Sequence, residues 1–188
     1  MDFQLTLAQK DLRCRAHELG GEWYPHAAEW DVLNHVPLAE MTRRAGEYGL
    51  LALTMPKEHG GHDLSTVEYA VVVGEVIRAS ACWAAGEPMF RTSGAGPSIC
   101  LMSDNDVPRS KFLPDIISGT RGCALTLTEP AHGSDITCLE TTAVRDGDDY
   151  VLNGSKRLIT GAIEDELYAT FVRMGDTPGA RGIGAVNC

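Results

Sequence analysis

The chain has 188 residues, 44% hydrophobic and 22% charged, and a formal net charge of −10. That composition supports one sizeable core or two small ones, and an acidic chain without a basic stripe argues against nucleic acid as a partner. No apolar run is long enough to span a bilayer, and the start at Met1 to Leu5 has neither the basic nor the apolar segment of a secretory signal.

Helical periodicity comes first along the chain. Leu5, Leu7, Leu12, Ala16 and Leu19 recur at helical spacing, and Gly20-Gly21 predicts a stop. A second helix is predicted from Pro37 to Gly49, with Leu38, Met41 and Ala45 inward. Leu50 to Pro56 reads as an apolar connector and Lys57 to Asp63 as a turn. Ser65 and Glu68 form a capping box, so a third helix should start there and run to about Trp83. It is apolar nearly all round (Tyr69 to Val73, Val76, Ile77), which predicts a central position. Phe90 to Met102 is helical but interrupted by Gly94, Gly96 and Pro97, so a kink or a close ligand approach is expected. Val107 to Ile117 is a last short helix, ended by Ser118-Gly119.

After Arg121 the period changes to two. Strands are predicted at Cys123 to Thr128, at Leu139 to Val144 and Tyr150 to Leu152 as a hairpin, and at Leu167 to Met174. Asn153-Gly154 turns the chain into Arg157 to Thr160, placing Thr160 at a strand end. Gly175 to Gly184 is loop-like, and Ala185 to Cys188 looks like the start of a further strand. The fold class is therefore α+β, with an N-terminal all-helical domain over residues 1–120 and an incomplete antiparallel β domain over 121–188.

Cys14, Cys82, Cys100, Cys123, Cys138 and Cys188 are irregularly spaced and form no Cys-x-x-Cys pair. That usage fits reduced thiols in a cytoplasmic protein. His59 and His62 flank a glycine pair with no further ligands nearby, so no metal site is expected.

Chemistry concentrates in Leu125 to Asp135, a strand with threonines on one face running into a Glu-Pro turn and the small-residue loop Ala131 to Ser134. Short hydroxyls at Thr128 and Thr160 can donate from defined positions, and Gly133-Ser134 can offer backbone N–H groups to phosphate oxygens. Taken singly, Thr128 and Thr160 read as ordinary strand threonines and Gly133-Ser134 as a plain turn. Glu129 reads as a turn residue bonded to backbone rather than a catalytic base.

Three local patterns in order resemble one family. They are Gly49-Leu-Leu with Met55 to Gly61, Leu127-Thr-Glu-Pro-Ala-His-Gly-Ser-Asp135, and Tyr150 to Lys156 running into Ile159-Thr160. Together they resemble the flavin-dependent acyl-CoA dehydrogenases along essentially the whole chain. The resemblance implies an FAD site lined by Leu125, Thr126, Leu127, Thr128, Gly133, Ser134, Leu158, Ile159 and Thr160, with Ser134 also touching the CoA part of the substrate. It implies α,β-dehydrogenation of an acyl-CoA, an electron-transferring flavoprotein as acceptor, a role in fatty acid metabolism and a homo-oligomeric parent. The interrupted helix at Phe90 to Ile99 matches the segment lining the family's acyl cavity, and a simple kinked packing helix fits it nearly as well. Leu158 departs from the pattern, where the family carries an aromatic residue. The family's base, a glutamate, comes from a third helical domain for which no match is seen here. No catalytic residue is therefore expected in these residues, and the chain alone is expected to be inactive. An oxidase or hydroxylase of the same fold, or a non-catalytic binding fragment, remain alternatives.

Overall fold

The computed structural model describes residues 4–187. Residues 1–3, and Cys188 at the end of the expected last strand, lie outside them. The fold is α+β, as expected.

Helix α1 (Leu7–Trp23) opens with a capping box. Thr6 Oγ1 accepts from Gln9 N at 3.2 Å and Gln9 Oε1 accepts from Thr6 N at 3.1 Å. It does not stop at Gly20-Gly21. A Cβ on Gly20 would lie 2.6 Å from the Val76 carbonyl oxygen and 2.7 Å from Ala79 Cβ. The glycine lets α1 and α4 (Thr66–Ser80) approach closely. Its helical cost of about 1 kcal/mol is offset by burial of Leu12, Ala16, Leu19 and Trp23 in one cluster with Val72, Val73 and Val76.

Helix α2 (Ala27–Leu33) was not predicted. Val32 and Leu33 are 84% and 62% exposed, so the helix carries no buried stripe for periodicity to reveal. Helix α3 (Leu38–Glu47) buries Met41 and Ala45, close to expectation. The apolar connector after it is buried without regular structure. Its backbone is satisfied by a helix further along the chain, α5 (Glu87–Ser93). Ala52 N donates to Thr92 Oγ1 at 3.0 Å and Leu53 N to Ser93 Oγ at 2.9 Å, while Thr54 Oγ1 donates to Ser93 O at 2.8 Å.

The capping box at Ser65 starts α4 where predicted. Ser65 N donates to Glu68 Oε2 at 2.9 Å, and Glu68 N donates to Ser65 Oγ at 3.5 Å. The helix ends at Ser80, earlier than Trp83, with Ala81 left-handed at φ 53°. The predicted kink in the following segment is a full break. Gly94, at ψ −145°, separates α5 from α6 (Ala95–Met102). Gly96 of α6 has no room for a side chain, since a Cβ would lie 3.0 Å from Cys123 Sγ, so α6 rests directly on the sheet. The last helical segment is a π-turn at Pro108–Phe112 followed by α7 (Leu113–Ile117).

The sheet comprises β1 (Cys123–Thr126), β2 (Thr142–Asp146), β3 (Asp149–Asn153), β4 (Leu167–Met174) and β5 (Ile183–Asn187). It is mixed, not antiparallel as expected. The β2–β3 hairpin and the β4–β5 pair are antiparallel, but β1 and β2 both run parallel to β4. Alternating hydrophobicity reports which face is buried and not strand direction. Here the β2–β3 hairpin and residues 154–166 form the crossover that a parallel β1–β4 pair requires. The segment at Arg157 to Thr160 is not a strand either. Leu158 has φ 57° and Gly161 φ 79°. Arg157 N donates to Thr128 O at 2.9 Å and Ala162 N to Ile159 O at 3.3 Å, which makes the segment a turn. A second apolar cluster (Ala52, Met55, Cys100, Leu113, Ile116, Cys123, Leu167 and Ala169) joins helices to sheet.

Candidate functional site

Strand β1 carries the expected site residues to the sheet's end. Leu125 and Leu127 are half-buried. Thr126 is not available to a ligand through its side chain. Its hydroxyl lies 2.7 Å from Thr170 Oγ1 and 3.3 Å from the Ala169 carbonyl, inside the β1–β4 pair. Thr128 is half-buried, while Gly133, Ser134, Leu158 and Thr160 are exposed. Among the described residues, no hydrogen bond from the protein engages the hydroxyls of Thr128, Ser134 or Thr160. A Cβ on Gly133 would meet nothing within 4 Å. The loop at Gly133-Ser134 is held from its far side by Asp135, whose carboxylate accepts from Thr137 N at 3.0 Å.

A buried ion pair fixes the two segments to each other. The Glu129 carboxylate is 4% exposed and accepts from Glu140 N at 2.7 Å, Thr141 N at 2.9 Å and Lys156 Nζ at 2.8 Å. Lys156 Nζ also donates to the Leu127 carbonyl at 3.0 Å. Burial pushes the Glu129 acid up, but the ammonium and the backbone N–H donors outweigh it and hold its pKa down at about 2. Glu129 thus has the backbone-bonded role expected of it. Lys156, which ties Leu127 and Glu129 to the turn beyond it beside the Arg157 N to Thr128 O bond, was missed. Its signal was a lysine beside a turn, with its partner 27 positions away.

Beside this unit lies a cleft of about 510 Å³ between helices and sheet, lined by Tyr69, Trp83, Phe90, Gly94, Leu125 and Thr160 among others. The structure therefore brings Leu125 and Thr160 to one cavity, with the α5–α6 break facing them. The rings of Trp83 and Phe90 lie 5.5 Å apart, and those of Tyr69 and Phe90 6.3 Å apart. Arg91 is ion-paired with Asp165, whose side chain is 2% exposed, and this pair ties α5 to the turn after Gly161. Burial lowers the pKa of Arg91, with the acids Glu87 and Glu164 opposing. Another hollow of about 640 Å³ lies beyond Arg91, toward His35 and Arg121. It touches none of the expected site residues, so the smaller cleft is the candidate site.

The cleft lies between a helical layer and a sheet end and has aromatic rings and the Thr160 hydroxyl in its lining, whereas Thr128, Gly133 and Ser134 lie outside it; such a space suits a class of protein that binds a flat or elongated organic ligand. The family comparison gives this class its name. Residues 6–120 match the acyl-CoA dehydrogenase N-terminal domain, and residues 124–187 match the acyl-CoA dehydrogenase middle domain. The chain belongs to the acyl-CoA dehydrogenase family. It is 31% identical over 186 residues to a short-chain specific acyl-CoA dehydrogenase of Clostridium acetobutylicum, covering 98% of this chain and 48% of that protein. It is 32% identical over 187 residues to a 3-sulfinopropanoyl-CoA desulfinase of Cupriavidus necator, covering 99% of this chain and 46% of the relative. The crystal structure of an acyl-CoA dehydrogenase from Geobacillus kaustophilus superposes with a TM-score of 0.83 at 26% identity, over 100% of this chain and 49% of the other. The chain thus spans just under half the length of these relatives.

Proposed function

We propose that this chain is the flavin- and acyl-binding part of an FAD-dependent acyl-CoA dehydrogenase, with a helical unit over residues 1–120 and a β unit over 121–188. The observation that carries the reading is the Glu129–Lys156 pair, which holds the two expected flavin-contacting segments together beside the cleft. The residues present fit the cofactor. Thr128 and Thr160 offer free hydroxyls for the polar edge of a flat ring, Leu125, Leu127, Leu158 and Ile159 offer apolar cover, and Thr126 contributes backbone. Gly133 and Ser134 offer N–H groups and a hydroxyl to phosphate oxygens, with open space at Gly133 for close approach. Ser134 is also placed to touch the CoA part of a substrate.

FAD, when bound, supplies the hydride acceptor for α,β-dehydrogenation of an acyl-CoA. This chain's residues bind and orient. Donors fixed at Thr128 and Thr160 favour electron-rich states of a ring held against them. Phe90 and Trp83 give the cleft an aromatic wall. Glu129 is held ionised by three donors and moves no proton, and no residue of this chain is assigned as the base. An electron-transferring flavoprotein as acceptor, and a homo-oligomeric assembly, belong to the same proposal.

The test is titration of the purified chain with FAD, followed by quenching of flavin fluorescence. Saturable quenching that weakens in Thr128→Val/Thr160→Val is the expected result. FAD fluorescence unchanged by the chain would sink the reading.

A further inference from the structure

The cleft is not uniformly apolar. Glu87, the first residue of α5, lines it together with Tyr69, Trp83 and Phe90. Among the described residues, no hydrogen bond or ion pair within 4 Å engages the Glu87 carboxylate, and no hydrogen bond engages the Tyr69 hydroxyl. Both groups are partly withdrawn from water. Burial pushes the Glu87 acid up, opposed in part by Arg91. Burial and the nearby Glu87 charge push the Tyr69 phenol up to about 12. The single guanidinium in the cleft, Arg91, is already taken by Asp165. Glu87, Glu164 and Asp165 therefore face the cleft against one paired cation.

A plain alkyl chain filling this space would strip water from Glu87 and Tyr69 and return no hydrogen bond. A terminal carboxylate would meet the unpaired acids Glu87 and Glu164, with Arg91 already held by Asp165. A ligand end carrying a neutral or cationic donor meets neither penalty. The geometry points to Glu87, supported by Tyr69, as the specificity determinant for acyl-CoA thioesters whose acyl group bears a distal hydrogen-bond donor such as a hydroxyl. Trp83 and Phe90 pack the carbon stem, and the Glu87 carboxylate accepts from the donor at its end. The inference rests on the acyl-binding reading of the cleft proposed above.

The test is calorimetric binding of butanoyl-CoA, its terminally hydroxylated counterpart and succinyl-CoA to the FAD-loaded chain, repeated with hexanoyl, terminally hydroxylated hexanoyl and adipoyl thioesters. The hydroxylated thioester should bind about tenfold more tightly than the alkyl one at one or both lengths, since a site built around polar groups rejects a ligand that leaves them unpaired. The dicarboxylic thioester should bind most weakly. Glu87→Leu should invert the alkyl–hydroxyl order, while Glu87→Gln should keep it and admit the dicarboxylic thioester better. Equal or tighter binding of the alkyl thioesters to the wild-type chain at both lengths overturns the inference without need of any variant. So does a chain that takes up FAD but binds none of the thioesters. Failure to take up FAD instead breaks the parent reading, and the two failures are thereby told apart.

Discussion

The helical half and the β half hold their positions by different forces. In the helical half, Leu19, Met41, Leu50, Leu53 and Val76 are completely or almost completely buried, and apolar packing fixes where α1, α3 and α4 sit. In the β half, the segments around the candidate site are placed by polar contacts. Glu129, Lys156 and the carbonyls of Leu127 and Thr128 hold two irregular stretches that bury little apolar surface. Apolar packing tolerates loose chemistry and demands shape. A buried polar hub demands every partner, and it loses them together. The contrast suits a module in which a rigid helical wall faces loops that must present hydroxyls and N–H groups at set positions.

The sharpest way to break the comparison is Glu129→Leu. It strands Lys156 and two backbone N–H groups in a buried site, and removing one partner of such a pair costs about 3–5 kcal/mol. Denaturant unfolding should show the loss, and hydrogen exchange should place it at residues 127–157 rather than in the helices. A substitution that left exchange at the β segments unchanged would deny the hub its role. Next in size, Leu19→Ala should cost about 3 kcal/mol by opening a cavity between α1 and α4. All three tryptophans, Trp23, Trp30 and Trp83, lie in the helical half, so their fluorescence should follow this variant directly.

Acid offers a third probe. The Glu129 pKa in the folded chain, about 2, lies below its ordinary 4.5. A depressed folded value means the hub contributes its stability fully above pH 4.5 and loses it as pH falls toward 2. The loss should be about 3 kcal/mol, visible in the urea midpoint, and flattened in Lys156→Met. The smallest effect is Ser65→Ala, which removes the α4 cap for about 1 kcal/mol and should lower the thermal midpoint without altering FAD uptake.

Local signals were legible where the physics is local. The Ser65 box starts α4 at the expected residue, because cap and partner are three positions apart. Strand β4 has its expected bounds, since Leu167, Ala169 and Val172 are buried in a run of strand-forming residues. Where the deciding contact is distant, sequence misleads. Gly20 reads as a stop but serves as a gap for Val76 and Ala79. Thr126, implied by the resemblance only as a lining residue, has its hydroxyl against Thr170 on a strand not adjacent in the chain. Of the candidate site, the place of Leu125 on β1 could be read in advance, whereas the strand ends expected at Thr128 and Thr160 are a loop beyond β1 and a turn. The Arg91–Asp165 tie and the Glu87 environment could not be read in advance, because nothing near those residues in sequence announces their partners.

The parallel pairing of β1 with β4 has a consequence in time. Cys123 finds its ladder partner at Leu167, and everything between must be made first. Helices α1 to α7 can form on local signals and dock while the chain is still emerging. Strand β1 then waits, with its edge toward β4 open, until synthesis has passed the hairpin and the turn beyond Lys156. Long-range strand pairing is slow for this reason. The helical wall of the cleft is thus built before the segments at 127–135 and 154–161 can settle against it.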